Sequence, residues 1–323
     1  MKCINNKIIK MGCILFCCIA CSGCVKPEPS EAITEYELET YRKDLYRGSL
    51  FADELCVTAE NIENPSVSED TMLHGAGLFG VNEQKVLYSY QIHDRLFPAS
   101  TTKILTALLA LESGRLDEIV TVSQNAVNVP SDSSKAFLQT GDQLTLRDLL
   151  YGLMLPSGND AAVAIAEFLG GSEEAFAQMM NEKAQSLGAT NSHFVNSNGY
   201  QHEEHYTTAY DLYLIFNECI KNPVFQEIIS TSEYTASIAM ADGTIRSQIW
   251  KQSNQFVNGM YPVPANVVVI GGKTGTTNEA GACLILYSQN ASGSPYISIV
   301  MGADTRPVLY ADMTSLLEAV PAS

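Results

Sequence analysis

The sequence predicts an α+β domain with an antiparallel sheet and flanking helices. Two observations support this prediction. Apolar and small residues alternate near residue 80 and strand character returns between residues 265 and 303, whereas the segment between them is patterned as a series of helices. Strands at both ends of a helical middle are typical of the α+β class, and 323 residues are enough to bury a sizeable core.

The first 24 residues differ in composition from the rest of the chain. Three lysines precede the apolar stretch MGCILFCCIACSGC, which is too short for a comfortable membrane span. A basic start followed by a short apolar stretch is typical of an export signal. We therefore predict an exported, extracytoplasmic protein that is secreted or associated with the cell envelope.

The end of this leader, CSGC at residues 21–24, is similar to a lipoprotein cleavage site, in which small residues precede an acylated cysteine. Cys24 is the predicted lipid attachment site, and Cys21 is the alternative. The leucine usual three residues before the acceptor is replaced by Cys21, so plain secretion and an uncleaved signal anchor stay open.

The net charge of the chain is −17. Such an acidic surface argues against nucleic-acid binding and against electrostatic adhesion to anionic lipid. We therefore expect membrane contact only through an N-terminal lipid or signal anchor.

Beyond residue 24 the sequence contains only three cysteines, Cys56, Cys219 and Cys283. This odd and sparse set offers neither a disulfide framework nor the spacing of metal ligands. We predict that the three are small buried apolar residues.

The remainder of the chain divides into two predicted regions. Residues 25–71 begin rich in Pro and Glu and become charged, which indicates a tether and an N-terminal surface segment. Residues 72–323 form the predicted main domain, with a helical insertion at about 113–260 and no additional C-terminal domain.

Within the main domain, VNEQK between two apolar runs predicts a hairpin at 73–91. Thr145 and Ser172 are predicted helix N-caps, Gly188 is a predicted helix stop, and Pro223 is predicted to start a helix. Strand character returns at 265–289 and 296–303. The other predicted helices cover 97–113, 145–155, 160–171, 172–188, 207–220 and 309–320.

Three short motifs follow one another along this domain. An S-x-x-K motif, Ser100 with Lys103, begins an apolar helix, where residues three apart lie on one face. SGN at 157–159 lies in a predicted loop between helices, and KTG at 273–275 lies in a predicted strand. Each motif alone is weak, but the three in this order and context are specific.

With these motifs, the chain resembles the serine D-alanyl-D-alanine carboxypeptidases, the low-molecular-weight penicillin-binding proteins. The likeness extends from about residue 72 to the end and includes PASTTKILTALLALE, LLYGLMLPSGNDAA, MNEKAQSLGATNSHFVNSNG and HYTTAYDL. It implies a β-lactamase/transpeptidase-like fold, with the helical insertion between the first and third motifs.

The resemblance also implies a cell-wall hydrolase. Such an enzyme removes the terminal D-alanine of peptidoglycan pentapeptides, so its partners are peptidoglycan stem peptides. β-Lactam antibiotics would acylate the same serine as inhibitors. The resemblance implies no metal and no organic cofactor.

The side chains of the motifs suit this chemistry. Ser100 is the predicted nucleophile that forms the acyl ester, and a serine hydroxyl needs a base. Lys103 can serve if its pKa falls ~3 units from ~10.4, and both burial and the second cation, Lys273, act in that direction. Ser157 is predicted to relay a proton between the two amines toward the leaving D-alanine nitrogen.

The remaining motif residues are predicted to hold the substrate. Asn159 offers an amide for the substrate backbone, while Lys273 and Thr274 would bind its terminal carboxylate. Gly275 would let the peptide pair with the strand edge. By resemblance, the oxyanion hole consists of the backbone N–H groups of Ser100 and Thr276.

Other functions stay open at this point. A β-lactamase of class A carries an E-x-x-L-N loop, which is absent between the second and third motifs. A DD-endopeptidase uses the same acyl chemistry, and a catalytically silent penicillin-binding or sensing lipoprotein would keep the motifs. For His202 and His205 we predict a loop before a helix rather than a metal pair, and for Arg306 a solvated surface position.

Overall fold

The computed structural model describes residues 52–67 and 73–322, and Glu54–Ser323 form one compact unit. The predicted export signal, Cys24 and most of the predicted tether lie outside the described residues. Among the residues that are described, no helix has both the length and the apolar character needed to cross a membrane.

The larger sheet joins the two ends of the main domain. In the described part of the chain it has five antiparallel strands in the order β2-β1-β9-β8-β7, and β1 pairs with β9 along its length. This arrangement confirms the predicted α+β class. The strands are β1 (Gly75–Gly80), β2 (Lys85–Tyr90), β7 (Val267–Thr277), β8 (Gly281–Asn290) and β9 (Pro295–Ala303).

Two predicted strand regions of this sheet are hairpins in the structure. The predicted hairpin at 73–91 is the β1–β2 pair. The predicted strand region 265–289 is itself a hairpin, made of β7 and β8. Because β7 ends the strand order, one side of its backbone is not paired within the sheet.

The helices follow the predicted order closely, and their ends are capped where the sequence indicated. Thr145 forms a capping box with Asp148, and the Ser172 hydroxyl accepts the N–H of Ala175. The described residues contain eight α-helices: α1 (Lys103–Glu112), α2 (Gln124–Val127), α3 (Leu146–Met154), α4 (Asn159–Gly170), α5 (Glu173–Ser186), α6 (Ala209–Cys219), α7 (Pro223–Ser230) and α8 (Arg306–Glu318).

The region predicted as a helical insertion also contains a second sheet, which the sequence did not predict. Its strands, in the order β3-β4-β5-β6, are β3 (Ile119–Thr121), β4 (Gln143–Thr145), β5 (Glu233–Ala239) and β6 (Ile245–Lys251). Strands β3 and β4 span three residues each, too few for a periodic pattern. Strands β5 and β6 carry mostly exposed or half-buried residues, so their apolar signal is weak.

Part of the predicted N-terminal surface segment packs into the folded unit. Cys56 is fully buried, and its backbone N–H donates to the Tyr213 hydroxyl at 2.9 Å. Ile62 pairs with Ser89 beside the larger sheet. Cys56, Cys219 and Cys283 are all buried and free, as the sequence predicted.

Helix α1 runs through the centre of the main core. Ile104, Leu105 and Leu108 are at most 2% exposed, and helices α3, α4, α5 and α6 pack around α1. A helix that is apolar on all sides is stable only when it is enclosed in this way. Burial of α1 therefore fixes the position of Lys103, which is the first residue of this helix.

The loop at 130–142 is fastened to strand β6 of the second sheet by side-chain contacts. Asp142, 1% exposed, pairs with Arg246 at 2.6 Å and accepts the N–H of Gln139 at 2.8 Å. The indole N–H of the buried Trp250 donates to the carbonyl of Ala136 at 2.8 Å. These contacts limit the freedom of the loop.

We expect Arg246→Met to lower the free energy of unfolding by about 3 kcal/mol, because it leaves the buried Asp142 carboxylate without its cation. Urea unfolding measures this change. The double variant Arg246→Met with Asp142→Leu should recover part of the loss. A double variant less stable than Arg246→Met would contradict this account of the pair.

Candidate active site

Ser100 lies in a single 3-10 turn, Ala99–Thr102, that leads directly into α1. Lys103 is the first residue of α1, so the two side chains are one turn apart, although Ser100 precedes the α-helix itself. Ala99 has a φ of +48°, which is rare for a residue with a side chain. A Cβ on Gly199 would lie only 1.8 Å from the Ala99 carbonyl oxygen, so only glycine permits this close approach.

The Lys103 amine is fully buried and has three partners. Its Nζ lies 2.9 Å from Ser100 Oγ, 2.7 Å from Asn159 Oδ1 and 2.7 Å from the carbonyl oxygen of Asn198. The two carbonyl oxygens can only accept hydrogen bonds. In the neutral amine both hydrogens therefore point at these carbonyls, and the lone pair faces the serine hydroxyl.

The surroundings of Lys103 favour that neutral form. Burial lowers the pKa of Lys103 well below its usual range, and the nearby Lys273 lowers it further. Asp160 and Glu173 act in the opposite direction but do not outweigh burial. An amine with a depressed pKa that faces a hydroxyl is suited to act as a general base.

Ser157 and Lys273 form the second amine–hydroxyl pair. Lys273 Nζ donates to Ser157 Oγ at 2.8 Å and to the carbonyl of Thr274 at 2.8 Å. Ser157 has a φ of +64°, so a strained backbone carries this hydroxyl. Burial lowers the pKa of Lys273 to about 7, so its amine and its ammonium are both populated near neutral pH.

Asn159 begins helix α4 beside this pair. Its backbone N–H donates to the carbonyl of Ser134 at 2.9 Å, while its Oδ1 accepts from Lys103. The next residue, Asp160, accepts two N–H groups of the 130–142 loop at 2.7 and 3.1 Å. Asp160 therefore fastens the loop to the helix that presents Asn159.

Strand β7 passes close to Ser100. A Cβ on Gly275 would lie 2.9 Å from the Ser100 nitrogen and 3.0 Å from the Pro98 oxygen, so a side chain would force the strand away. Thr276 follows on the same strand, and Thr274 Oγ1 lies 3.0 Å from Ser253 Oγ. The N–H groups of Ser100 and Thr276, which are predicted to form the oxyanion hole, thus belong to two segments that touch: the turn before α1 and strand β7. The first N–H groups of a helix have no partner within the helix, so they can bind an oxyanion.

A cleft of about 460 Å³ opens over Ser100, with Asn159 and Asn198 on its walls and Thr276 on β7. A smaller pocket of about 50 Å³ also reaches Thr276 and contains Thr274 and Arg306. Arg306 is exposed, as predicted, but it faces this pocket. The structure thereby identifies a cation beside the predicted carboxylate site.

A turn at 196–199 contributes a functional group that the sequence did not reveal. The carbonyl of Asn198 accepts from Lys103, and Asn196 Oδ1 accepts the N–H of Gly199 at 2.8 Å. The Ser197 hydroxyl donates to Glu173 at 2.5 Å. A backbone carbonyl leaves no signal in side-chain spacing, so sequence reasoning had no means of finding it.

His205 is a second residue whose position the sequence did not indicate. It lies in the predicted loop before α6, yet it is 2% exposed, and burial lowers its pKa to about 3. Its Nδ1 accepts the N–H of Val195 at 3.1 Å, so Nε2 carries the hydrogen and donates to Thr102 Oγ1 at 2.8 Å. His205 therefore supports the turn between Ser100 and Lys103.

Most of the predicted site residues come together in the structure. Five of them form one cluster around the two lysine amines, and Thr274, Gly275 and Thr276 lie beside it on β7. The chemical roles of all eight residues stay predictions. The members of the cluster are Ser100, Lys103, Ser157, Asn159 and Lys273.

The depressed pKa of Lys273 predicts a pH-dependent cost to stability. With a pKa of about 7 in the folded state and 10.5 in the unfolded state, the cost is full below pH 7 and vanishes above pH 10.5. We expect Lys273→Met to stabilise the protein at pH 7 by about 2 kcal/mol, since lost hydrogen bonds offset part of the gain.

The measurement is urea unfolding of Lys273→Met and wild type between pH 7 and pH 10.5. The stabilisation should shrink as the pH rises. Lys85→Met, which replaces an exposed lysine, serves as the matched control and should show no such trend. A gain for Lys273→Met that stays constant with pH would refute the assigned pKa.

Several named proteins are similar to this chain in sequence. A family model described as D-alanyl-D-alanine carboxypeptidase matches residues 67–305. The chain is 36% identical over 239 residues to D-alanyl-D-alanine carboxypeptidase DacF of Bacillus subtilis (strain 168), covering 72% of this chain and 58% of that one. It is 34% identical over 242 residues to the D-alanyl-D-alanine carboxypeptidase of Streptomyces sp. (strain K15), covering 72% and 81%.

Solved structures of similarly named proteins have the same fold as this chain. The crystal structure of the Streptomyces K15 DD-transpeptidase superposes with a TM-score of 0.72 at 32% identity, covering 78% of this chain and 98% of that one. A D-alanyl-D-alanine carboxypeptidase from Mycobacterium tuberculosis H37Rv gives 0.69 at 26% identity, covering 81% and 94%. These structures confirm the predicted fold. The chain belongs to the D-alanyl-D-alanine carboxypeptidase family.

Proposed function

We propose that this protein is a serine-type D-Ala-D-Ala carboxypeptidase that removes the terminal D-alanine of peptidoglycan pentapeptides. The observation that carries the proposal is the buried Lys103 amine, which has two carbonyl acceptors and faces the Ser100 hydroxyl at 2.9 Å. Membership of the carboxypeptidase family supports the choice of substrate. β-Lactams are expected to acylate the same serine.

Acylation begins at Ser100. Lys103 removes the hydroxyl proton as Oγ attacks the carbonyl carbon of the penultimate D-alanine, and the carbonyl oxygen becomes an oxyanion. The N–H groups of Ser100 and Thr276 stabilise this charge, because Gly275 allows β7 to approach the turn.

Departure of D-alanine requires a proton on its nitrogen. The Ser157 hydroxyl donates one as the C–N bond breaks, and the Lys273 ammonium replaces it through the 2.8 Å contact. A pKa of about 7 makes Lys273 able to give and regain this proton near neutral pH. Water then cleaves the Ser100 ester: its oxygen adds to the acyl carbon, one of its protons passes through Ser157 to the neutral Lys273 amine, and the Lys103 ammonium returns a proton to the departing Ser100 Oγ.

Three features around Ser100 would orient the substrate: the small pocket, the edge of β7 and the Asn159 amide. Thr274 and Arg306 line the small pocket, which suits the terminal carboxylate that defines a carboxypeptidase substrate. The unpaired edge of β7 offers backbone groups to the extended peptide. Asn159 stands on the opposite wall and can hold the peptide through its amide N–H₂.

The proposal includes export of the chain by residues 1–24, since peptidoglycan lies outside the cytoplasm. A basic start and a short apolar stretch support an export signal. Lipid attachment at Cys24 would add an envelope anchor, and mass spectrometry of the mature N-terminus tests it directly.

Ser100→Ala should lower D-alanine release from a D-Ala-D-Ala pentapeptide by about 10⁴-fold or more, because no other group can form the acyl ester. The assay measures free D-alanine, and a chromogenic cephalosporin is hydrolysed in parallel. Ser133→Ala, a hydroxyl in the same cleft outside the cluster, is the matched control.

Each outcome of this assay has a distinct meaning. Serine-dependent D-alanine release supports the proposal. Rapid cephalosporin turnover without D-alanine release would indicate a β-lactamase, whereas neither activity would indicate a silent penicillin-binding protein. Cleavage of cross-linked dimers would add endopeptidase activity to the assignment.

The pH dependence of acylation tests the role of Lys103. The rate should rise with pH as the Lys103 amine loses its proton. Lys273→Ala should move this limb to higher pH, because the neighbouring cation that depresses the pKa of Lys103 is gone.

Stopped-flow acylation by a β-lactam measures the limb, and Lys103→Ala should abolish it. Ser157→Ala removes a hydroxyl without removing a charge, so the limb should keep its position in that variant. An unchanged profile in Lys103→Ala would rule out Lys103 as the base.

A further inference from the structure

The Asn198 carbonyl helps to set the direction of the hydrogen bond between Lys103 and Ser100. Lys103 Nζ donates to this carbonyl at 2.7 Å and to Asn159 Oδ1 at 2.7 Å, which leaves the lone pair of the neutral amine facing Ser100 Oγ. If the Asn198 carbonyl moved away, the freed N–H could donate to the serine oxygen, and the amine would no longer be turned to accept the serine proton. Acylation therefore depends on what holds the turn at 196–199.

Helix α5 holds the chain that leads into this turn. Asn181 Nδ2 donates to the carbonyl of Phe194 at 2.7 Å, and Asn181 Oδ1 accepts the Phe194 N–H at 2.8 Å. At the N-terminus of the same helix, Glu173 accepts the Ser197 hydroxyl at 2.5 Å and the Ser197 N–H at 3.3 Å. Helix α5 also packs against α1, so the turn is fixed relative to the helix that begins with Lys103.

Ser197 connects Glu173 with the surroundings of Lys103. It is 0% exposed, and its carbonyl accepts the Thr106 hydroxyl of α1 at 2.6 Å. The next carbonyl along the chain is that of Asn198. A hydroxyl forms a stronger hydrogen bond with a carboxylate than with a neutral acceptor. Glu173 therefore restrains the turn more firmly than a neutral side chain of the same size would.

Glu173 accepts from both Ser197 groups, which is the arrangement expected of an ionised carboxylate. Burial raises the pKa of Glu173, and the charges of Glu167 and Glu174 raise it further, whereas the Ser197 hydroxyl and N–H lower it. The positive end of the α5 macrodipole also favours the ionised form. A negative charge thus lies directly behind the turn that contacts Lys103.

This charge is one of four that face or surround the Lys103 amine. Burial lowers the pKa of Lys103 and Lys273 lowers it further, whereas Asp160 and Glu173 raise it. His205 stays neutral, because burial lowers its pKa to about 3. Asp160 accepts three backbone N–H groups, so its position is set by the 130–142 loop and by α4. Glu173 differs from it, because Glu173 holds the turn that contacts the amine.

We propose that Glu173 is a positioning residue for acylation. Through Ser197 it holds the Asn198 carbonyl against the Lys103 amine, and its negative charge stabilises the ammonium that forms when Lys103 takes the serine proton. None of the three motifs contains Glu173 or Ser197. This inference rests on the proposed carboxypeptidase function and adds a residue that acts through the base.

Three variants separate the hydrogen bond from the charge, and stopped-flow acylation by a β-lactam is measured for each as a function of pH. Glu173→Gln keeps an acceptor for Ser197 but removes the charge, so the rising limb should move to lower pH by about 0.5 unit. Ser197→Ala keeps the charge, so the limb should stay in place while the plateau rate falls about tenfold. Glu173→Ala should show both changes.

The matched control is Glu174→Gln, which removes the same charge from the neighbouring, exposed position of α5. It should keep the wild-type limb and plateau. The acylation rate constant is first order in enzyme, so a smaller folded fraction in any variant lowers the amplitude of the signal without changing the rate constant.

The possible results distinguish this inference from the function on which it rests. A wild-type limb and plateau in Glu173→Ala would overturn the inference, and so would an equal limb shift in Glu174→Gln. An unchanged plateau in Ser197→Ala would overturn it as well. All three results leave the carboxypeptidase proposal intact, whereas a wild type that neither reacts with the β-lactam nor releases D-alanine would overturn both.

Discussion

Two lysine amines are buried in this protein without a carboxylate partner. Lys103 contacts a hydroxyl and two carbonyls, and Lys273 contacts a hydroxyl and a carbonyl. Neither forms a salt bridge in the part of the chain that the structure describes. A buried amine that is not paired with an anion resists protonation, and the chemistry of the site depends on this constraint.

The surrounding fold keeps the two amines in place at some cost in strain. Ala99 and Ser157 both have a positive φ, and each stands at or beside a hydroxyl that contacts one of the two amines. Strain of this kind persists only where the neighbouring structure enforces it. Here the enforcement comes from the enclosed helix α1, from Gly199 against the Ala99 carbonyl, and from Asp160, which joins α4 to the 130–142 loop.

The distribution of charge around the cleft contrasts with the interior of the site. The cluster around Lys103 and Lys273 contains only amines, hydroxyls and an amide, whereas Arg306 lines the small pocket and the carboxylates of Asp132 and Glu279 line the larger cleft. Both carboxylates are exposed, so solvent screens their effect on the buried amines.

The sequence by itself determined the fold class, the helix caps and the residues of the three motifs. Those features depend on local periodicity, on side chains that cap helices, and on the order of Ser100, Ser157 and Lys273 along the chain. The short strands β3 and β4 and the polar strands β5 and β6 were not predictable, because neither length nor apolar pattern distinguishes them from loops.

Only the tertiary structure decided which groups surround the amines. The Asn198 carbonyl, the buried His205 and the position of Arg306 arise from contacts between residues far apart in the chain, such as Thr102 with His205. The pKa of Lys103 was expected to fall from its place in the motif, but burial among these distant groups is what lowers it. Burial depends on the whole fold, and no local stretch of sequence encodes it.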